Sequence, residues 1–415
     1  MVSNSITNMA SHMLVPIIPL FVVAMGATET NVGLLATSFF LSSVLSRFLV
    51  NFLLLRFGRN TLAFAGTLLT GLTIALYCFT DTVGATAVLR IAQGLGFGAT
   101  TALYTTMVAD VLPDSRRGEG IGYFALGVVV AMTAAPLISV NLMESFGFNP
   151  VFLVGAIFPV IALGGFPFLR KSTPPRLSAG EVERLRKNGS RTPDMVNRPS
   201  SGQPDGPAPA AQSVAPVDIQ EPAGKERASF LETLFEPKIL FHGLLCLLLG
   251  FCRSADMNFI ALFAEINKFK YLAWYFSIQT IASFGVRLFI GQVSDKKGRG
   301  WVLIPGGLAV MIAMLILSTA QSGEVMLLAG FFNGLGIGAL VPGMQVWMFD
   351  SVSQEKRNHA STMYFNAYDI GVSIGAILLG LFAEFIGYSF MFQATAFAAL
   401  LYLILYVGYA RKRKI

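Results

Sequence analysis

The chain has 415 residues, of which 54% are hydrophobic and only 13% charged, with a formal net charge of +7. A soluble globular protein is nearer a quarter charged, because its surface must be solvated, so a water-bathed fold is excluded and a lipid-embedded one is expected. Cys78, Cys246 and Cys252 all lie in apolar runs, which excludes a disulfide framework and a zinc-ligand spacing.

A membrane-spanning helix needs about 20 mainly apolar residues, since the hydrocarbon core is ~30 Å thick and each residue rises ~1.5 Å. In chain order the candidates are 1–28, 30–55, 60–80, 82–109, 120–143 and 145–169. After a long polar stretch come 239–264, 271–294, 300–323, 325–349, 358–383 and 385–410. Seven of the twelve hold no charged side chain, and the other five hold isolated ones: Arg47, Arg90, Arg253 with Asp256, Arg287, and Asp369. Barrel strands would be half as long and would alternate in polarity. No basic residue precedes the first run and no small-residue cleavage site follows it, so it reads as a span and not as a cleaved signal.

Within the first helix, Asn4, Asn8 and His12 recur at helical spacing, either as a polar stripe facing a cavity or as a frayed start. Pro16 and Pro19 predict a bend in the same helix. With the N-terminus inside, thirteen basic residues fall in the inner short loops and C-terminal tail, against Lys268 and Lys270 outside. That asymmetry predicts cytoplasmic termini. The basic balance is then mostly a topology signal, and nucleic-acid binding gains no support from it.

The long stretch 170–238 is expected to be a cytoplasmic linker between a first bundle, 1–169, and a second, 239–415. Its middle is rich in proline, glycine, serine and alanine with nothing to bury, so disorder is expected there. Before the seventh helix, Ser229-x-x-Glu232 forms a capping box and predicts a short interfacial helix.

The two halves superpose at a constant offset of 240 residues across helices two to four. Arg47 matches Arg287, Gly58 matches Gly298, Arg59 matches Arg299, and QGLGFG (93–98) matches NGLGIG (333–338). Asp110 matches Asp350, and Arg117 matches Arg357. A duplicated six-helix unit follows.

With twelve helices, the repeat and a loop motif after helices two and eight, the sequence resembles the major facilitator superfamily outside its central stretch. That family's signature reads Gly-x-x-x-Asp-Arg/Lys-x-Gly-Arg/Lys. The second copy is complete in Gly291, Asp295, Lys296, Gly298 and Arg299, whereas the first has Asn51 and Leu55 in place of the glycine and aspartate and keeps Arg56, Gly58 and Arg59. The resemblance implies an all-α polytopic membrane protein of twelve transmembrane helices in two pseudo-symmetric six-helix bundles. It also implies a gate: Gly291 allowing close helix approach, with Arg59–Asp110 and Arg299–Asp350 pairs latching the inner ends. RIAQGLGFG (90–98) resembles the Arg-x-x-x-Gly motif of helix four, through Arg90 and Gly94, which is linked to proton coupling in that family. The antiporter motif of helix five is reduced to Pro136 within TAAPLISV (133–140), which weakens a drug-efflux assignment.

An ionisable group at the bilayer centre costs roughly 2.5–3.5 kcal/mol, so each needs a reason. The functional reading is a cavity between the halves in which Asp369, with Asp256, exchanges a proton. The structural reading is a fixed Arg253–Asp256 or Arg253–Asp369 pair. Arg47 and Arg287 lie toward the cytoplasmic ends and are expected to reach the interface. Methionine pairs such as Met9/Met13 and Met344/Met348 have a Cu(I)-like spacing, but core packing explains them in so apolar a chain. No cofactor is expected, and no Gly-x-x-x-x-Gly-Lys-Ser/Thr loop supplies ATP hydrolysis. The expected function is proton-coupled export of a small organic solute by a monomer in the cell's inner (plasma) membrane, not an enzyme. A metabolite importer and a non-transporting sensor of the same fold stay open.

Overall fold

The structure, a computed structural model, describes residues 2–54, 56–111, 117–166, 237–352 and 357–413. The first half holds α1 (Val2–Ala24), α2 (Glu29–Leu53), α3 (Arg59–Leu76), α4 (Val83–Val111), α5 (Arg117–Phe146) and α6 (Phe148–Gly164). The second holds α7 (Pro237–Ile266), α8 (Leu272–Lys297), α9 (Gly300–Ser318), α10 (Gly323–Asp350), α11 (Arg357–Phe385) and α12 (Tyr388–Arg413). Among the described residues the protein is thus an all-helical polytopic membrane protein with twelve α-helices. Eight of them, all except α4, α5, α6 and α8, are by themselves long and apolar enough to cross a bilayer. The expected linker lies outside the described residues, apart from Pro237 and Lys238, which begin α7 two residues earlier than expected. The Ser229–Glu232 capping box also lies outside them.

Helix ends follow local chemistry. Thr28 caps α2 by accepting from the Asn31 amide, and Ser322 caps α10 by accepting from the Val325 amide, supplying partners to donors that a helix start leaves free. Gly147 and Gly387, 240 residues apart, both turn the chain with positive φ (82° and 108°) and are both followed at once by a helix. The duplication therefore extends past helix four to the α5–α6 and α11–α12 turns.

Packing repeats at the same offset. A Cβ on Gly94 would meet the Phe39 carbonyl and Ser42 Oγ, whereas one on Gly334 would meet the Gln279 carbonyl and Ala282. Gly98 faces Ser43 as Gly338 faces Ser283, and Gly96 faces Gly66 and Thr70 as Gly336 faces Gly306 and Val310. Each glycine lets two helix backbones approach closely, the usual way to gain dispersion contact where lipid removes the hydrophobic drive. The outward faces stay apolar and uncovered, with Leu45, Phe48 and Phe52 on α2 and Ile281, Leu288 and Phe289 on α8 exposed. That is the surface a bilayer covers.

Among the described residues the main seams between the halves are α2 with α11, α5 with α8, and α1 with α7, with a smaller contact of α2 with α7. At the α2–α11 seam a Cβ on Gly33 would meet the Ala376 carbonyl, and one on Gly380 would meet the Glu29 carbonyl. Thr37 Oγ1 donates to the Ser373 carbonyl at 2.8 Å. At the end away from the chain termini, the Thr30 amide donates to Glu384 Oε2 at 3.0 Å, and Tyr388 Oη donates to Glu29 Oε1 at 3.4 Å. The seam is closed from that end to the middle of the bundle.

Candidate functional site

One pair of the charges expected to matter joins the two halves. Asp369, at the middle of α11 and 7% exposed, pairs with Arg47 of α2 at 2.7 Å. Arg47 Nη1 also donates to Asn366 Oδ1 at 3.3 Å, and its guanidinium lies 5.8 Å from the Phe365 ring centroid. Arg47 was expected to reach toward the membrane interface; instead it turns inward. The reason lies with its partner: Asp369 is buried at mid-helix, and without Arg47 its charge would stand uncompensated there.

On α7, Arg253 and Asp256 form an ion pair one turn apart. Asp256 also accepts from Tyr275 Oη at 2.5 Å and from Gln279 Nε2 at 2.8 Å, both on α8. Both carboxylate oxygens therefore have donors. Of the two readings open for this pair, that geometry favours the fixed one, with Asp256 holding Arg253. The Arg253–Asp369 alternative does not form. Tyr275 and Gln279 were not singled out from the sequence; the signal was Gln279, an amide in an otherwise apolar stretch facing the place where an aspartate had to be satisfied.

Between the halves lies a narrow cavity of about 40 Å³, lined by His12 of α1, Pro136 of α5, Arg253 of α7, and Gln279, Ser283 and Arg287 of α8. Arg287 was expected at the interface and opens onto this cavity instead. Asn4 and Asn8 do not share it: they are buried, and Asn8 Nδ2 donates to the Asn4 carbonyl at 2.9 Å and to Asn4 Oδ1 at 3.2 Å. Those amides satisfy each other along α1, and only His12 of the expected stripe reaches the cavity. Arg90 stays within the first half. Its Nη1 donates to Gln93 Oε1 at 3.2 Å, Tyr77 Oη donates to the same oxygen at 3.0 Å, and its guanidinium lies 4.5 Å from the Phe39 ring centroid.

The loop motif resolves into distinct parts. Arg299 Nε and Nη2 donate to Asp350 Oδ2 at 3.0 and 2.7 Å, and Nη1 also donates to Ser294. Both partners belong to the second half, so this pair ties the α8–α9 turn to the end of α10 and does not bridge the two bundles. Gly298 takes φ 91°, a left-handed conformation that disfavours side chains, whereas Gly58 in the first copy has φ −65° and needs no glycine. Gly291 is exposed and a Cβ there would meet nothing within 4 Å, so it permits no close helix approach in this conformation. Lys296 is exposed, and Arg56 likewise. The side chains of Asp295 and Asp110 lie outside the described residues, which leaves the Arg59–Asp110 expectation there too.

Comparison with known proteins agrees with this architecture. The family model of the Major Facilitator Superfamily matches residues 1–296 and 247–414. The chain is 20% identical over 397 residues to an uncharacterised MFS-type transporter of Methanocaldococcus jannaschii, covering 92% of this chain and 89% of that one. It is 23% identical over 411 residues to the multi-drug resistance efflux pump PmrA of Streptococcus pneumoniae, covering 95% and 90%. Among solved structures, the peptide transporter POT in complex with sulfate aligns with a TM-score of 0.74 at 16% identity over 99% of this chain and 93% of the other, a likeness of fold. A duplicated twelve-helix fold, an ion pair joining its halves, and a family match along its length together make this chain a transporter of the Major Facilitator Superfamily.

Proposed function

We propose that the protein exports a small organic solute in exchange for protons, by alternating access, with Asp369 as the coupling carboxylate. The observation that carries this reading is the Arg47–Asp369 bridge, which joins one half to the other at the depth where an unpaired charge costs most. Protonating Asp369 removes its charge and frees Arg47, so proton binding loosens the α2–α11 seam. Losing the proton restores the bridge and closes it. Coupling thus needs no separate relay. Asp256 serves as a positioning residue for Arg253, and Arg299–Asp350 stiffens the end of the second half against which the seam moves. The termini are assigned to the cytoplasm of the cell's inner (plasma) membrane by the excess of basic residues on their side. In that orientation the closed end of the seam faces outward. Export is favoured by the PmrA relative, described as an efflux pump.

The test is transport in proteoliposomes with an imposed pH gradient, screening labelled solutes. The wild-type protein is expected to move its solute against a concentration gradient only while the pH gradient lasts. Asp369→Asn is expected to abolish that gradient-driven movement and to retain passive exchange. Equal transport with and without the gradient, together with an unchanged Asp369→Asn variant, would overturn the coupling role.

A further inference from the structure

The duplication gives each half one arginine at the same repeat position, Arg47 and Arg287, but gives the pair only one carboxylate. Asp369 answers Arg47 across the α2–α11 seam. On the α5–α8 seam, the repeat equivalent of Asp369 is position 129, a valine. Among the described residues no carboxylate pairs with Arg287, and its buried Nε has no hydrogen-bond partner. The phenols of Tyr364 and Tyr368 on α11 lie near it and carry no compensating charge at neutral pH, and the ionisable groups that share its cavity, His12 and Arg253, offer no anion either. Arg287 also lines the cavity between the halves, beside Arg253, Gln279 and Ser283. A guanidinium left in that position is an unanswered cost, because an isolated charge in a bundle interior is stable only when something neutralises it.

Resting on the transporter reading above, we propose that the transported solute carries a carboxylate, which enters this cavity and completes the second inter-half bridge by pairing with Arg287. The solute's anion takes the place that repeat symmetry would give to an aspartate on α5. A planar carboxylate matches one free guanidinium in a two-point hydrogen-bonded pair. Arg253 is already held by Asp256, so a single free guanidinium faces the cavity, which suits one negative charge better than a phosphate dianion. Gln279 and Ser283 add hydrogen-bonding capacity beside Arg287, and Pro136, Phe276 and Ile337 form an apolar wall; at about 40 Å³ the cavity has room for the anionic head group alone, so the solute's organic body enters as the halves part.

The experiment is ligand-induced thermal stabilisation of the full chain in detergent, with benzoate, hexanoate and succinate as carboxylates, and benzamide and inorganic phosphate as contrasts. At least one carboxylate is expected to raise the melting temperature in a saturable way, whereas benzamide and phosphate are not. Arg287→Gln is expected to weaken that binding at least tenfold. Val129→Asp puts a carboxylate at the repeat position of Asp369, and is expected to fold and to lose carboxylate binding. Should Arg287→Gln fold poorly, Arg287→Lys keeps the charge and is expected to bind, more weakly than wild type. The proposal is overturned if no carboxylate binds, if phosphate or benzamide binds as well, or if both Arg287→Gln and Val129→Asp bind as the wild type does. No gradient is present in this measurement, so its failure leaves the Asp369 coupling test standing, and the reverse holds too.

Discussion

At the scale of single residues, the sequence named the charges but misjudged their directions. Asp369, Arg253, Asp256 and Arg90 stood out because each interrupts an apolar run, and all four are buried. Arg47 and Arg287 were assigned to the interface because depth along a helix is readable from sequence, whereas the azimuth at which a side chain leaves it is not. A stripe such as Asn4, Asn8 and His12 shows the same gap: equal spacing along α1, yet only His12 opens onto the cavity while the two amides bond to each other. The α7 pair offers a direct test. Asp256→Asn leaves Arg253 buried without its anion, which is expected to cost about 3–5 kcal/mol and to lower the melting temperature sharply in detergent. Replacing both partners with apolar residues, as Arg253→Met with Asp256→Leu, is expected to recover most of that loss. If Asp256→Asn melts like the wild type, the pair is not a fixed structural unit.

At the scale of elements, most of the fold was legible. Uncharged or nearly uncharged runs of about 20 residues gave all twelve helices, because hydrocarbon thickness sets their length. Glycine roles were less legible, since one residue type serves two different purposes. Gly94 and Gly334 are packing glycines, with neighbouring carbonyls occupying the place of a Cβ, while Gly298 is a turn glycine. Alanine at Gly94 or Gly334 is therefore expected to overpack the interface and destabilise by about 1–3 kcal/mol, read as a lower melting temperature. Alanine at Gly298 forces a side chain into a positive-φ conformation that glycine alone adopts readily, at roughly 1–3 kcal/mol. Gly291→Ala, with open space around it, is expected to match the wild type or to exceed it slightly. For the Arg299–Asp350 pair, Asp350→Ala is expected to lower stability, and the exchange Arg299→Asp with Asp350→Arg to restore part of it.

At the scale of the whole molecule, the repeat was visible in sequence, but the asymmetry between its seams was not. Symmetry predicts that α5–α8 should resemble α2–α11, yet in the folded protein one seam is zipped by Arg47–Asp369 and by the Thr30–Glu384 contact while the other borders a cavity. If α2 and α11 part during transport, tying them together must stop the cycle. Thr37→Cys with Ser373→Cys, in a background where Cys78, Cys246 and Cys252 are alanine, places two thiols across the seam. Oxidation is expected to abolish solute movement in vesicles, and reduction to restore it. Full transport by the cross-linked protein would show that this seam does not open.

The unanswered guanidinium of Arg287 has an electrical consequence. Arg47 with ionised Asp369 is neutral as a couple, and so is Arg287 once an anion sits against it; without the anion, Arg287 adds one positive charge to every rearrangement. A membrane potential does work on charge, about 2.3 kcal/mol per elementary charge across 100 mV. Voltage should therefore act more strongly on the return of the empty carrier than on the loaded step. A voltage jump applied to reconstituted bilayers is expected to produce a transient current without solute, one that saturating solute suppresses and Arg287→Gln diminishes.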